Sequence, residues 1–225
     1  MPGVSVRSIT VGDAGVESVD TDRGRIATRV VVNAAGGWSG ELNAMAGVVA
    51  PNRPLRREVL VTAPLRRSIE AAITFYRPTE GWFNQTLRGE LVAGSIDPAE
   101  PEGFREDSTF RFLPRTAALL LRKAPRLGGL HVIRQWAGAY ELTPDRAPLI
   151  GDHAAVPGLY TLGGWSGRGL LLAPIAAELA AREIAGHGRD ALLAPFHPGR
   201  FAGAGPAQDT GGDYYARYLE PRRTS

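Results

Sequence analysis

The stretch Gly-Leu-Tyr-Thr-Leu-Gly-Gly-Trp-Ser-Gly-Arg-Gly-Leu-Leu-Leu-Ala-Pro, residues 158–174, contains the local pattern that decides the fold. An apolar strand at 158–162 leads into a glycine-rich turn, and the pattern then predicts an apolar helix over about 170–184. Pro174 fits that helix only in its first turn. The pentapeptide Gly-Gly-Trp-Ser-Gly at 163–167 occurs a second time in the chain. A strand, a turn and a helix in succession are typical of α/β proteins.

The other copy, at 36–40, has the same context. It follows Arg29 to Val32, whose continuous β-branched run predicts a strand covered on both faces. A short helix follows, with Ser39 as its expected N-cap and Gly47 as its expected C-terminal stop. The strand candidates upstream are 4–6, 15–19 and 26–32.

Two such turns suit a ligand. Glycine allows a sharp turn and a close approach, and a helix behind the turn presents unpaired N–H groups and a partial positive charge. These properties favour a phosphate, or a ring oxygen that gains negative charge on reduction. The alternative is a plain strand-to-helix turn that binds nothing. The presence of both copies favours the ligand.

Between the two copies the sequence predicts a region rich in strands. A hairpin turn is expected at 87–90, an acidic loop at 97–107, and a helix from Pro114 that Pro125 ends. The helix is expected to bury one stripe, consisting of Ala117, Leu120, Leu121 and Ala124. The strand candidates are 58–62, 71–76, 81–86, 90–95 and 130–140.

Composition excludes several classes of protein. The absence of cysteine rules out disulfides, thiolate–zinc sites and thiol catalysis. No apolar run has the length of a membrane span and no export signal is visible, so the expected location is the cytoplasm, without a membrane partner. The net charge is only +3 and the arginines are scattered, which argues against a nucleic-acid partner despite the basic pI. Nucleic-acid binding is kept as a third hypothesis, which predicts steeply salt-dependent binding.

Sharper catalytic motifs are absent from the sequence. Neither pentapeptide has the glycine two residues after serine that a nucleophile elbow needs, and no P-loop or G-x-G-x-x-G is found. The four histidines lack ligand-like spacing, so no metal site is expected. They are His131, His153, His187 and His197.

Three stretches together resemble a known family. They are 30–39, 134–151 and 158–174, and their order and spacing are similar to those of the D-amino-acid-oxidase-like flavoproteins. That family includes sarcosine oxidase, glycine oxidase and dimethylglycine dehydrogenase, and the sarcosine oxidase β-subunit is the nearest in pattern. The resemblance covers about residues 1–190.

The resemblance implies an α/β (α+β) fold in which a partial FAD-binding domain carries an inserted antiparallel-sheet substrate domain. It implies transfer of a hydride from the carbon beside an amine to flavin N5, with an amine or amino acid as the substrate. The implied segments are 1–50 and 141–196 for the FAD domain, 51–140 for the substrate domain and 197–225 for a tail.

The resemblance also implies site residues. Arg168 would stabilise charge on the reduced flavin or hold a substrate carboxylate, or else face solvent. Trp136 and Tyr140 would wall the substrate pocket, or serve as core aromatics. The residues implied to contact FAD are Ala35, Gly36, Trp38, Gly163, Gly164, Ser166, Gly167, Arg168 and Gly169.

Departures from the family pattern bear on which substrate the chain would bind and on whether the FAD-binding domain is complete. Leu171 stands where monomeric sarcosine oxidases have a carboxylate-binding lysine, and Tyr140 stands where glycine oxidases have an arginine. The family's N-terminal Rossmann βαβ unit has no counterpart here, which implies a missing piece on the order of 150 residues. Three explanations are a separate subunit, a truncated gene or a misassigned start. A non-catalytic remnant that does not bind FAD by itself is the competing hypothesis.

Overall fold

A computed structural model describes residues 2–75 and 81–201, and the chain folds as two compact units. The first unit comprises the residues up to Pro54 and from Tyr140 onward, and the second is Leu55–Ala139. The strands are β1 (Val6–Gly12), β2 (Gly15–Thr21), β3 (Gly24–Ala27), β4 (Val31–Asn33), β5 (Arg53–Thr62), β6 (Ile73–Phe75), β7 (Gly81–Gln85), β8 (Leu91–Ser95), β9 (Val132–Leu142), β10 (Leu149–Asp152) and β11 (Leu159–Gly163). The α-helices are α1 (Ser39–Met45), α2 (Phe112–Lys123) and α3 (Gly169–Arg182).

The first unit contains two small sheets. Strands β1, β2 and β3 form an antiparallel meander, and a mixed sheet has the order β10-β11-β4. In the mixed sheet β11 pairs antiparallel with β10 and parallel with β4. The predicted strand over 26–32 is therefore wrong as one element, because the chain leaves the meander after Ala27 and enters the other sheet at Val31.

Buried aliphatic side chains join these sheets to the helices. Ile9, Val16 and Leu159 belong to one core cluster, while Ile150 and Leu179 belong to a second that packs α3 on the mixed sheet. Leu159 is completely buried. Burial of such side chains contributes about 1.5–3 kcal/mol each to folding.

Strand β4 is less covered than its sequence predicts. Val32 in β4 and Val30 just before it are 44% and 45% exposed, so the expectation of a strand buried on both faces is wrong for this structure. The reason is its position in the sheet: within the described residues, β4 pairs with β11 alone and forms an edge.

The second unit is built on a five-stranded sheet with the order β6-β7-β8-β5-β9. The pairings β6–β7, β7–β8 and β8–β5 are antiparallel, and β7 and β8 form the predicted hairpin. Helix α2 packs on this sheet through a core that includes Leu60, Leu91 and Leu120.

The predicted buried stripe of α2 is partly wrong. Leu120 is buried as expected, but Leu121 is 39% exposed. Thr116 is fully buried instead and its hydroxyl lies 2.6 Å from that of Ser95.

Both helices that follow the glycine-rich turns also differ from expectation. Ser39 is the first helical residue of α1 and caps nothing, because its hydroxyl is bonded elsewhere; Gly47, with φ of +76°, ends the helix as predicted. Pro174 lies in the second turn of α3, where its missing N–H removes one helical hydrogen bond without ending the helix.

Arg56 forms a nearly buried ion-pair centre in the second unit. Its guanidinium lies 2.8 Å from Glu100 Oε1 and 2.8 Å from Asp107 Oδ2, and the Arg56 and Glu100 side chains are only 6% and 4% exposed. Arg111 reaches the other Glu100 oxygen at 3.2 Å. The predicted acidic loop over 97–107 is therefore fixed to β5 by charge pairs.

Gly158 provides a direct test of how tightly the mixed sheet is joined to the meander. With φ of +88°, its Cβ position overlaps the carbonyl oxygen of Arg29, so Gly158→Ala should lower the free energy of unfolding by about 2–4 kcal/mol. Gly24→Ala is the matched control, because Gly24 also has a positive φ (+119°) but an open Cβ position. Chemical denaturation of both variants should show the larger loss for Gly158→Ala; equal losses would contradict this packing.

Candidate functional site

The two Gly-Gly-Trp-Ser-Gly turns leave the same edge of the mixed sheet. The first begins after β4 and the second at the end of β11, and these strands pair in parallel with Asn33 opposite Thr161. Since carboxyl ends of parallel strands meet at one sheet edge, the two turns are neighbours there. A short 3-10 turn over Gly36–Trp38 precedes α1, and α3 begins at Gly169. We call residues 35–40 the first turn and residues 163–169 the second turn.

The second turn has a strained backbone. Ser166 has φ of +50°, a conformation that costs a residue with a side chain about 1–3 kcal/mol, and it lies between Gly164 and Gly167, which also have positive φ. Its N–H donates to the carbonyl of Glu141 at 3.0 Å. The turn is therefore held in one shape by β9.

Glycine serves a different purpose at each position of the turns. A Cβ at Gly36 would meet open space, whereas one at Gly163 would lie 2.7 Å from Glu141 Oε1. A Cβ at Gly164 would lie 2.7 Å from Thr143 Cγ2, and one at Gly167 would overlap the ring of Tyr140. Among these four, only Gly36 leaves room outside the protein for a ligand at its Cβ position.

Helix α3 adds an electrostatic feature to the second turn. The first N–H groups of a helix lack partners within it, and the helix dipole places partial positive charge there. Arg168 stands at the N-cap position and is half-buried, and Gly169 opens the helix. An anionic group or a carbonyl oxygen that gains negative charge is favoured at such a terminus.

The remaining predicted site residues lie in several places. Ala35 and Trp38 are in the first turn, and Trp38 is 49% exposed. Tyr140 is in the first unit and lies against Gly167, so it belongs to the second turn's surroundings. Trp136 is in the second unit, 38% exposed, with the guanidinium of Arg134 5.9 Å from its ring centroid.

Glu141 is the residue that the sequence did not single out. Its carboxylate is buried, accepts from Ser39 Oγ at 2.5 Å and from Asn52 Nδ2 at 2.7 Å, and burial raises its pKa. The signal available was an acidic residue within a strand, two residues before the Thr-Pro-Asp turn. An acid at that place normally indicates a solvent-facing position.

A second polar chain lies behind the first turn. Asn33 Nδ2 donates to Asn43 Oδ1 at 2.7 Å, and Thr161 Oγ1 lies 3.2 Å from the same oxygen. His153 Nε2 lies 2.8 Å from Thr161 Oγ1, and burial lowers the pKa of His153. This chain of bonds fixes α1 to β4 and β11, and it gives His153 a packing role.

Metal binding finds no support in the described part of the chain. Over residues 2–75 and 81–201, no group of three or more His, Cys, Asp or Glu side chains is arranged to hold a metal ion. His197, for example, is paired with Asp152 at 3.1 Å.

Exposed apolar side chains occur on the elements next to the turns. Besides Val32 on β4 and Val30 just before it, the side chains of Leu170, Leu171 and Ile175 on α3 are exposed by 96%, 80% and 51%. None of the helices in the described ranges is both long enough and apolar enough to cross a membrane.

These features are those of an α/β protein with two glycine-rich turns at neighbouring parallel strand ends. Residues 2–183 match the family model described as FAD dependent oxidoreductase, DAO, and the chain belongs to this family.

Two curated relatives illustrate the match. Hydrogen cyanide synthase subunit HcnC of Pseudomonas aeruginosa is 30% identical over 206 residues, which cover 89% of this chain and 48% of HcnC. Sarcosine oxidase subunit beta of Rhodobacter capsulatus is 26% identical over 204 residues, which cover 89% of this chain and 48% of that subunit. The chain thus spans about half the length of these relatives.

Solved structures agree on the fold. L-proline dehydrogenase from P. horikoshii superposes with a TM-score of 0.80 and 29% identity, covering 88% of this chain and 54% of that one. Glycine oxidase from Geobacillus kaustophilus superposes with a TM-score of 0.75, covering 86% of this chain and 51% of that one. Its sequence identity is 22%, so it supports the fold alone.

Proposed function

We propose that this chain is the C-terminal part of an FAD-dependent oxidoreductase that oxidises a C–N bond of an amine or amino acid. The observation that carries the proposal is the pair of turns at neighbouring parallel strand ends in a chain of this family. Its relatives include proteins named for action on sarcosine, glycine and proline.

The two turns fit one edge of a flavin. The open Cβ position of Gly36 and the exposed ring of Trp38 leave space at the first turn, and the start of α3 supplies N–H groups at the second. When bound, FAD supplies at N5 the acceptor for a hydride from the carbon beside the amine. The residues proposed to contact it are Ala35, Gly36, Trp38, Gly163, Gly164, Ser166, Gly167, Arg168 and Gly169.

The chain's own residues would orient the substrate. We place Trp136 and Tyr140 along the substrate and Arg168 near either its carboxylate or the reduced ring. Arginine suits both tasks, since it stays charged and donates several hydrogen bonds. Sarcosine, glycine and proline-like amino acids are the proposed substrate class, without a choice among them, because Leu171 and Tyr140 replace the family's known carboxylate ligands.

A second polypeptide segment would complete the FAD site. The chain spans about half of the relatives' length, and neither its sequence nor its described strands provide a G-x-G-x-x-G turn for the pyrophosphate. The unpaired edge of β4, together with the exposed apolar residues of α3, is the surface that such a segment would cover. A separate subunit or an upstream extension of this chain would serve equally.

The alternative is a non-catalytic remnant that does not bind FAD by itself. The same half-length match supports it, because a chain without the pyrophosphate-binding unit lacks a main source of FAD affinity.

Co-expression tests the proposal. The chain is purified alone and with the polypeptide encoded immediately upstream of Met1, and visible spectra are recorded after gel filtration. We expect flavin bands near roughly 370 and 450 nm in the complex, bleached anaerobically by an amino acid. A stable complex without these bands would favour the remnant. As a control, the upstream polypeptide alone shows how much flavin it retains without this chain.

Arg168→Gln should lower kcat/KM of the complex for amino acids at least tenfold, since a hydrogen bond to a charged group contributes about 1.5–3 kcal/mol. A rise in KM with unchanged flavin potential would assign Arg168 to the carboxylate, and a lower potential would assign it to the ring. Arg182→Gln, on the exposed end of α3, is the control and should leave kcat/KM unchanged. Unchanged kinetics in Arg168→Gln would mean that this arginine contacts neither the substrate nor the flavin.

A further inference from the structure

Glu141 is a buried acid that the proposed reaction does not use. It lies near the end of β9, is 5% exposed, and its hydrogen bonds reach two segments that are far away in sequence. A buried acid costs free energy unless it is neutral or well paired, so its contacts call for a physical explanation.

Its contacts join the two turns. Oε1 accepts from Ser39 Oγ in the first turn at 2.5 Å, and its backbone carbonyl accepts from Ser166 N in the second turn at 3.0 Å. The carboxyl group also occupies the space that a Cβ at Gly163 would fill, with 2.7 Å to Oε1 and 3.0 Å to Oε2. Asn52 holds the same Oε1 at 2.7 Å. One residue thus contacts both copies of the pentapeptide.

The side-chain hydrogen bonds of Glu141 are unevenly divided between its two carboxyl oxygens. Both side-chain donors meet Oε1, while Oε2 has no hydrogen-bond partner among the described residues. The buried Asn52 Oδ1 is likewise without a partner there. Burial raises the pKa of Glu141 against the opposing effect of Ser39, Asn52 and the Gly164 N–H.

We propose that Glu141 is a positioning residue whose buried carboxyl group holds the two turns in one arrangement. Where the proposed flavin function holds, this arrangement fixes the two turns that are proposed to contact the flavin. The role itself concerns only this chain and is testable without cofactor.

Hydrogen exchange on the 225-residue chain tests the positioning role. In Glu141→Ala we expect amide exchange at Trp38, Ser166 and Arg168 to accelerate by about tenfold or more, because the carboxyl group no longer ties the turns. Glu141→Gln keeps an acceptor at the Oε1 position and should stay within about twofold of wild type. Amides of β7 and β8 serve as the internal reference. Uniform acceleration everywhere, or none in the turns, would overturn the proposal.

The pH dependence of unfolding tests whether the Glu141 carboxyl group is buried between the turns. Since burial raises the folded pKa of Glu141, its stabilisation is fully present below the unfolded value of 4.5 and is lost as pH rises through the folded value. No charged side chain contributes to this shift; the groups that act are Ser39, Asn52 and Gly164. The unfolding constant of wild type relative to Glu141→Gln should therefore increase severalfold from about pH 5 to about pH 8.

Asp145→Asn is the matched control. Hydrogen bonds and charge from Arg200 hold the pKa of Asp145 down against burial, so its stabilisation is lost as pH falls, the opposite sign. Equal pH profiles for Glu141→Gln and wild type would overturn the proposal.

An infrared measurement decides the matter even if Glu141→Ala does not fold. The wild-type chain should show a protonated-carboxyl band that Glu141→Gln lacks and that persists to a higher pH than the bands of the exposed carboxyl groups. Absence of that band, or its loss at the same pH as the exposed carboxyl groups, would overturn the proposal. Loss of flavin binding in the wild-type complex, with this band present, would contradict the oxidoreductase proposal and leave the positioning role supported.

Discussion

Gly36→Asn should reduce the flavin content of the completed complex at least tenfold while barely changing the stability of the chain. The Cβ position of Gly36 meets nothing within 4 Å, and its φ of +57° is one that asparagine adopts readily. The new side chain therefore occupies only the space proposed for the ligand. The measurement is the ratio of flavin to protein absorbance after gel filtration.

Gly47→Asn is the matched control for this experiment. Gly47 also has a positive φ, +76°, and an open Cβ position, but it lies at the far end of α1. Both variants should show the same small change in thermal unfolding of the isolated chain, and only Gly36→Asn should lose flavin. Equal flavin content in the two variants would contradict the placement of the cofactor at the first turn.

Arg56→Leu should lower the free energy of unfolding of the chain by about 3–5 kcal/mol, the range for removing one partner of a buried ion pair. The reason is that Glu100, with a side chain only 4% exposed, would keep its burial and lose its closest cation. Urea denaturation followed by circular dichroism measures the change.

Arg88→Leu is the control, since Arg88 is 84% exposed and its pair with Glu90 at 3.2 Å is open to solvent. Exposed pairs contribute about 0–1 kcal/mol, so this variant should remain near wild type. A loss below about 1 kcal/mol for Arg56→Leu would mean that the charge network does not hold the 97–107 loop.

Local sequence patterns predict much of the frame around the site. Strand β11, the turn at 163–167 and helix α3 lie where apolar runs and glycines place them, since each depends on neighbours a few residues away. The hairpin over 87–90 is predictable for the same reason. The family and its FAD-dependent class also follow from stretches that keep their order along the chain.

Local patterns do not predict features that depend on partners far away in the sequence. The sequence predicts Ser39 as the cap of α1, but its hydroxyl bonds to Glu141, 102 residues further along the chain. The predicted buried face of α2 omits Thr116, whose buried hydroxyl is hydrogen-bonded to that of Ser95 in another element of the second unit. Strand β4 is exposed because, among the described residues, it pairs with β11 alone. Which strands become neighbours is decided only when the sheet assembles. No local pattern contains these pairings.

The roles assigned to individual residues of the site stay predictions. The structure places Tyr140 against the second turn and Trp136 in the other unit, which describes their surroundings without testing a contact with substrate. The same holds for the four segment assignments at 1–50, 51–140, 141–196 and 197–225, of which residues 1, 76–80 and 202–225 lie outside the described part.

The most direct test of the central claim is the response of backbone amide resonances in both turns to FAD. The isotope-labelled chain in complex with its completing polypeptide is compared with and without oxidised FAD. Amides of residues 35–40 and 163–169 should shift together, while those of β7 and β8 should not. Shifts in one turn only, or in neither turn of a complex that demonstrably holds FAD, would contradict the conclusion that the two turns share one flavin.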